Sequence, residues 1–118
     1  MQYLLMIYAN EAAFAQATPE QGKAMTEAYA KFTQDIVKSG HLKGGDRLKP
    51  SNTATTIRRG DGKTLMSDGP FAETREQLGG YYIIEAKDLD EATMIAEKIP
   101  LTSGAVEVRP IDSMARQY

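Results

Sequence analysis

The sequence predicts one α+β domain. Three observations carry this: strand-like and helix-like segments alternate along the chain, no linker or repeat divides it, and its size suits a single hydrophobic core. The chain has 118 residues, 42% of them apolar and 25% charged, which is the composition of a folded domain. One unit spanning residues 1–118 is therefore expected.

The elements follow in order. Tyr3 to Tyr8 reads as a strand, with Tyr3, Leu5 and Ile7 on one face and Leu4, Met6 and Tyr8 on the other. A strand apolar on both faces is usually covered on both sides. Asn10 to Ala17 is a connection with room for an extra helical turn. Thr18-Pro19-Glu20-Gln21 then opens a long helix: Thr18 suits the N-cap, Pro19 the first helical position, and Gln21 completes a capping box. Met25, Ala28, Tyr29, Phe32 and Ile36 recur at helical spacing with Val37 beside them, and Gly40 supplies a left-handed stop. This helix runs for about 20 residues, on the order of 30 Å.

His41 to Leu48 is a short extended segment interrupted by Gly44-Gly45, and Pro50-Ser51-Asn52 is a turn. Thr53 to Arg58 and Lys63 to Met66 flank Gly60-Asp61-Gly62 and read as a hairpin. Ser67 to Leu78 is a polar loop containing Asp68-Gly69-Pro70-Phe71. Gly80 to Ala86 is a strand, again apolar on both faces through Tyr81, Tyr82, Ile83 and Ile84. Asp88 caps a second helix whose buried stripe is Leu89, Ala92, Ile95, Ala96 and Ile99, and Pro100 stops it. Ala105 to Ile111 is the last strand, followed by a polar tail to Tyr118.

Without the hairpin the order is βαββαβ, the ferredoxin-like split unit, with an antiparallel sheet and both helices on one face. Two helices leave the other face uncovered, yet the first strand and Tyr81–Ile84 are apolar there. A second copy packed sheet against sheet is the expected cover, since closed two-fold homodimers are the commonest oligomers. The alternative is that the inserted hairpin folds back over its own sheet.

Composition narrows the function classes. The net charge is −2 with no Lys/Arg run longer than Arg58-Arg59, so nucleic acid is not an expected partner. The absence of cysteine removes disulfides, thiol nucleophiles and thiolate metal sites, and a lone histidine, His41, makes zinc unexpected. No cofactor is expected; a carboxylate-only Mg²⁺ site stays open. The N-terminal apolar run is too short for a membrane span and has neither basic flank nor cleavage site, so the expected location is cytoplasmic with no membrane contact.

The segment Asp68-Gly69-Pro70-Phe71-Ala72-Glu73-Thr74-Arg75-Glu76-Gln77-Leu78-Gly79-Gly80-Tyr81 closely resembles the signature of the DGPF branch of the YCII-related proteins. Tyr3–Tyr8, Asp88-Leu89-Asp90-Glu91-Ala92 and Gly104–Pro110 are similar to that family as well. The resemblance implies a dimeric α+β barrel. It also implies a link to extracytoplasmic-function sigma factors and transcription initiation, through neighbouring genes. In the broader family an enzymatic role is proposed for a histidine on the first helix with a nearby aspartate. The stretch around Ala28-Tyr29 has no histidine, so that dyad does not carry over.

Each candidate site residue has two readings. Asp68 is a general base at a barrel mouth, if burial raises its pKa, or the first residue of an Asp-Gly-Pro turn. Phe71 anchors the loop in the core or forms a pocket wall. Glu73, Arg75 and Glu76 bind a polar ligand or form a solvated charge cluster. Val106 and Val108 point one way and Glu107 and Arg109 the other. If the valines face the helices, the charged pair faces the barrel interior, where Arg109 is a carboxylate or phosphate anchor; otherwise the pair keeps an edge strand soluble. Tyr8, Tyr81 or Tyr82 line the cleft. His41, beyond a helix C-terminus, is expected at the surface. Two function classes result: a small-molecule-binding or acid–base barrel, and a non-catalytic accessory protein that binds a sigma factor.

Overall fold

The computed structural model describes residues 1–113. Its elements are β1 (Gln2–Ala9), α1 (Glu11–Ala15), α2 (Pro19–Lys38), β2 (Leu42–Arg47), a 3₁₀ turn (Ser51–Thr53), β3 (Thr55–Gly60), β4 (Lys63–Asp68), β5 (Gln77–Glu85), α3 (Leu89–Glu97) and β6 (Ala105–Pro110). The strands β2-β5-β1-β6 form one antiparallel sheet in that order, and β3-β4 form a separate two-stranded sheet. This is the ferredoxin-like α+β arrangement with an inserted hairpin, as the element order requires.

Local chemistry sets the helix boundaries. Thr18 Oγ1 accepts from the Gln21 amide at 3.1 Å, and Gln21 Oε1 accepts from the Thr18 amide at 2.9 Å, closing the capping box of α2. Asp88 caps α3 by accepting from the Glu91 amide at 2.9 Å. The extra turn allowed after Asn10 is a real helix, α1, because the Asn10 side chain accepts from the Ala13 amide. The helix face of the sheet holds the core: Tyr3, Leu5 and Ile7 of β1 and Ile84 of β5 pack against Phe32 and Ile36 of α2 and Ala92, Ile95 and Ala96 of α3. Leu5 and Ile84 are wholly buried, each contributing about 1.5–3 kcal/mol relative to an exposed side chain. Leu89 departs from the expected stripe: it lies in the first turn of α3 and is 53% exposed, so the buried face begins at Ala92.

Two bulges set the register. Ile7 pairs with Gly80 but Tyr8 pairs with Leu78, which leaves Gly79 as the extra residue and lets β5 begin at Gln77. In β2, Leu42 pairs with Ile84 while Gly44 pairs with Ile83, which leaves Lys43 extra. Gly45 must lack a side chain, since a Cβ there would lie 2.7 Å from the Tyr81 carbonyl oxygen.

The hairpin turns at Asp61 (φ 50) and Gly62 (φ 72), the positive dihedrals of a type I′ turn. It does not fold back over the sheet. Of its residues only Thr56 is even half-buried. The molecule measures 47 × 43 × 18 Å, a depth that holds the sheet and one helix layer but no third layer. The hairpin base is fastened by side chains. The Glu11 carboxylate accepts from the Ser51 amide and hydroxyl, both at 2.7 Å, and the Glu11 amide donates to Gln77 Oε1 at 2.9 Å.

Candidate functional site

Alternation along the strands sorts the side chains between the two faces of the sheet. Val106 and Val108 pack against the core, so Glu107 and Arg109 stand on the face turned away from the helices. Register then builds two rows across that face. Asp46, Tyr81, Met6 and Glu107 lie side by side on β2, β5, β1 and β6, and Gly44, Ile83, Leu4 and Arg109 form the row beside them. The centre is apolar (Met6, Leu4, Ile83 and the Tyr81 ring), and the polar groups sit on the two edge strands. With strands about 4.8 Å apart, the edges are roughly 14 Å from each other.

The Tyr81 hydroxyl donates to Asp46 Oδ2 at 2.9 Å. That bond, and then the negative charge of Asp46 itself, raise the Tyr81 pKa above 10.0. Tyr81 is a neutral donor at ordinary pH, its hydroxyl committed to Asp46. On the opposite edge Arg109 Nη2 donates to Glu107 Oε2, and the Tyr8 hydroxyl stands 3.5 Å from Glu107 Oε1. An anionic ligand reaches Arg109 only by sharing it with Glu107.

The structure brings together Tyr8, Tyr81, Glu107 and Arg109 of the residues expected from sequence, and it adds Asp46. Tyr82 belongs elsewhere. As the chain neighbour of Tyr81 it points to the helices, where its ring meets Phe32 edge-on at 5.3 Å and its hydroxyl lies 2.9 Å from Thr33 Oγ1. Tyr29, beside it, has its pKa raised, first by burial and then by Tyr82. Phe71 does not anchor its loop in the core: it is 73% exposed, with the Arg58 guanidinium 6.0 Å from the ring centroid and Arg58 Nη2 donating to the Phe71 carbonyl. Asp68 ends β4 in solvent, and Gly69 turns the chain with φ 93. Glu73 and Arg75 are exposed in the following loop. His41 lies at the surface, half-buried: Ser39 Oγ lies 2.7 Å from Nδ1 and Glu91 Oε1 lies 3.4 Å from Nε2, so it ties the end of α2 to α3.

Asp46 was hidden in the sequence because its alignment with Tyr81 depends on the bulge at Lys43. Among the described residues no three His, Cys, Asp or Glu side chains converge as a metal site requires. Among the described residues no helix is long and apolar enough to cross a membrane.

A four-stranded ferredoxin-like sheet with one face covered by helices, one open and mixed in polarity, and a projecting hairpin defines the class of this molecule. The model of the YCII-related domain matches residues 1–115. An uncharacterized protein of Rhizobium meliloti (strain 1021) is 34% identical over 114 residues, 94% of this chain and 92% of that protein. The chain belongs to the YCII-related family.

Proposed function

We propose that the chain, a DGPF-branch member acting in the cytoplasm, works as a homodimer whose open sheet faces meet and enclose a site for a small amphipathic molecule. The supporting observation is the apolar centre of that face, half-buried and covered by no helix, in a chain with far too much surface. A compact 13.0 kDa monomer exposes roughly 6,300 Å², whereas this chain exposes 8909 Å². The excess of roughly 2,600 Å² compares with about 800 Å² per partner in a standard interface. Met6, Leu4 and Ile83 supply apolar walls, Tyr81 and Tyr8 supply hydroxyls, and Arg109 supplies the anchor for an anionic group.

Binding rather than acid–base catalysis is the reading this face favours. Asp68, the sequence's candidate base, lies outside both rows of its own chain. The structure adds no observation in favour of the sigma-factor partner. The test uses 8-anilinonaphthalene-1-sulfonate as an amphipathic anionic probe. The wild-type dimer should bind it in the micromolar range, and Arg109→Ala should weaken binding about tenfold or more, the worth of one charge-assisted hydrogen bond. Equal binding by wild type and by Arg109→Ala and Tyr81→Phe variants that remain dimeric would remove this site.

A further inference from the structure

The geometry points to the β3–β4 hairpin as an arm that docks on the second copy of the chain; this rests on the dimeric reading above. A two-stranded hairpin alone in water is marginal, and this one pairs with no other strand among the described residues. It nonetheless carries apolar side chains on both faces. Ile57 and Met66 are directly opposed and share one face; Leu65, opposed to Arg58, lies on the other, and Arg58 leans on Phe71. All four apolar side chains are more than half exposed. A hairpin meant to stay in solvent gains nothing from such residues, whereas one gripped by a partner does.

Shape and charge select a second copy as that partner. The radius of gyration is 16.3 Å, against about 13.5 Å for a compact chain of this length. In a flat molecule only 18 Å deep, an arm that docks on a copy stacked over the open face continues the interface proposed above. The arm is also basic where the body is acidic. Arg58, Arg59 and Lys63 outnumber Asp61 and Asp68, which leaves the rest of a chain of net charge −2 at −3. Two-fold symmetry makes the exchange reciprocal, each copy giving one arm and receiving one. It also carries the exposed Asp68–Arg75 segment at the arm's base toward the partner's half of the shared site.

Hydrogen exchange of the full chain tests this, read at β3 and β4 amides in concentrated dimer, in diluted monomer and in Ile83→Glu, which breaks the sheet contact. Slow exchange of the arm amides in the dimer, lost on dilution and in Ile83→Glu, is expected. Leu65→Glu and Met66→Glu should each raise the dimer dissociation constant about tenfold or more. A stable wild-type dimer whose arm amides exchange as fast as in the monomer overturns the arm and leaves the dimer standing. A dimer indifferent to both arm substitutions does the same, and it would return those side chains to a different protein partner. A wild-type chain that is monomeric at 100 μM, an on-the-order-of upper limit for a functional dimer, overturns both.

Discussion

Met6→Glu tests the open face most sharply. Met6 sits at the centre of the face and directly opposite Glu107. Side chains at such positions have Cβ atoms about 4.5–5.5 Å apart, so the substitution sets two carboxylates roughly 5 Å from each other. Facing water, their repulsion is about 0.8 kcal/mol; enclosed at an effective dielectric constant near 20 it is about 3.3 kcal/mol. The folded monomer therefore tolerates the change, while dimerisation loses about 2.5 kcal/mol per subunit and about 5 kcal/mol per dimer. Arg109 already pairs with Glu107 and offsets part of this. The expected outcome is a dissociation constant raised about 100-fold or more, measured by sedimentation equilibrium, with an unchanged far-UV circular dichroism spectrum. Met6→Leu, which nearly conserves volume, should stay close to wild type. Adding Glu107→Gln to Met6→Glu should recover about tenfold, because it removes one of the two like charges. A folded Met6→Glu protein that dimerises as tightly as wild type would refute the reasoning, since this face could not then be the interface.

The remaining predictions address the site and the fold. Tyr81 should ionise above pH 10.0 in a 295 nm absorbance titration, and Asp46→Asn should lower its midpoint. Because the folded state holds that proton more tightly than the unfolded chain does, its stabilising contribution is complete below pH about 10 and disappears as pH rises through the folded value. Leu5→Ala should cost about 2–5 kcal/mol in urea unfolding, as a wholly buried leucine leaves a cavity. Thr18→Ala should cost about 1 kcal/mol in the same assay through loss of the α2 cap. Gly45→Ala should lower the melting temperature by several degrees, as the added methyl meets the Tyr81 carbonyl; an unchanged melting temperature would contradict the β2–β5 register.

Much of this was written locally in the chain. Thr18, Pro19 and Gln21 announce α2 because a capping box needs only residues three apart, and alternation along Tyr3–Tyr8 announces β1 because the strand period is two. The same parity puts Tyr81 and Tyr82 on opposite faces, so only one of them lines any given cleft. What depends on distant partners was not legible. The Asp46–Tyr81 bond needs the bulge count in β2, and the His41–Glu91 pairing needs α3 beside the end of α2. Phe71 looked like an anchor because a lone aromatic in a polar loop usually finds a core. Here the loop leaves the body at the hairpin base, and no core lies within its reach.

The polar clasp of Glu11, Ser51 and Gln77 has a consequence for how the hairpin and the body depend on each other. It joins hairpin to body through a few hydrogen bonds at one seam, while the interior of the sheet and helices contributes nothing to the graft. The two parts are energetically separable modules. Within one subunit a change in the hairpin carries no repacking penalty in the body, so any cost of altering Leu65 or Met66 falls on contacts outside that subunit, whereas a change at the seam, such as Glu11→Ala, would loosen the arm's own attachment.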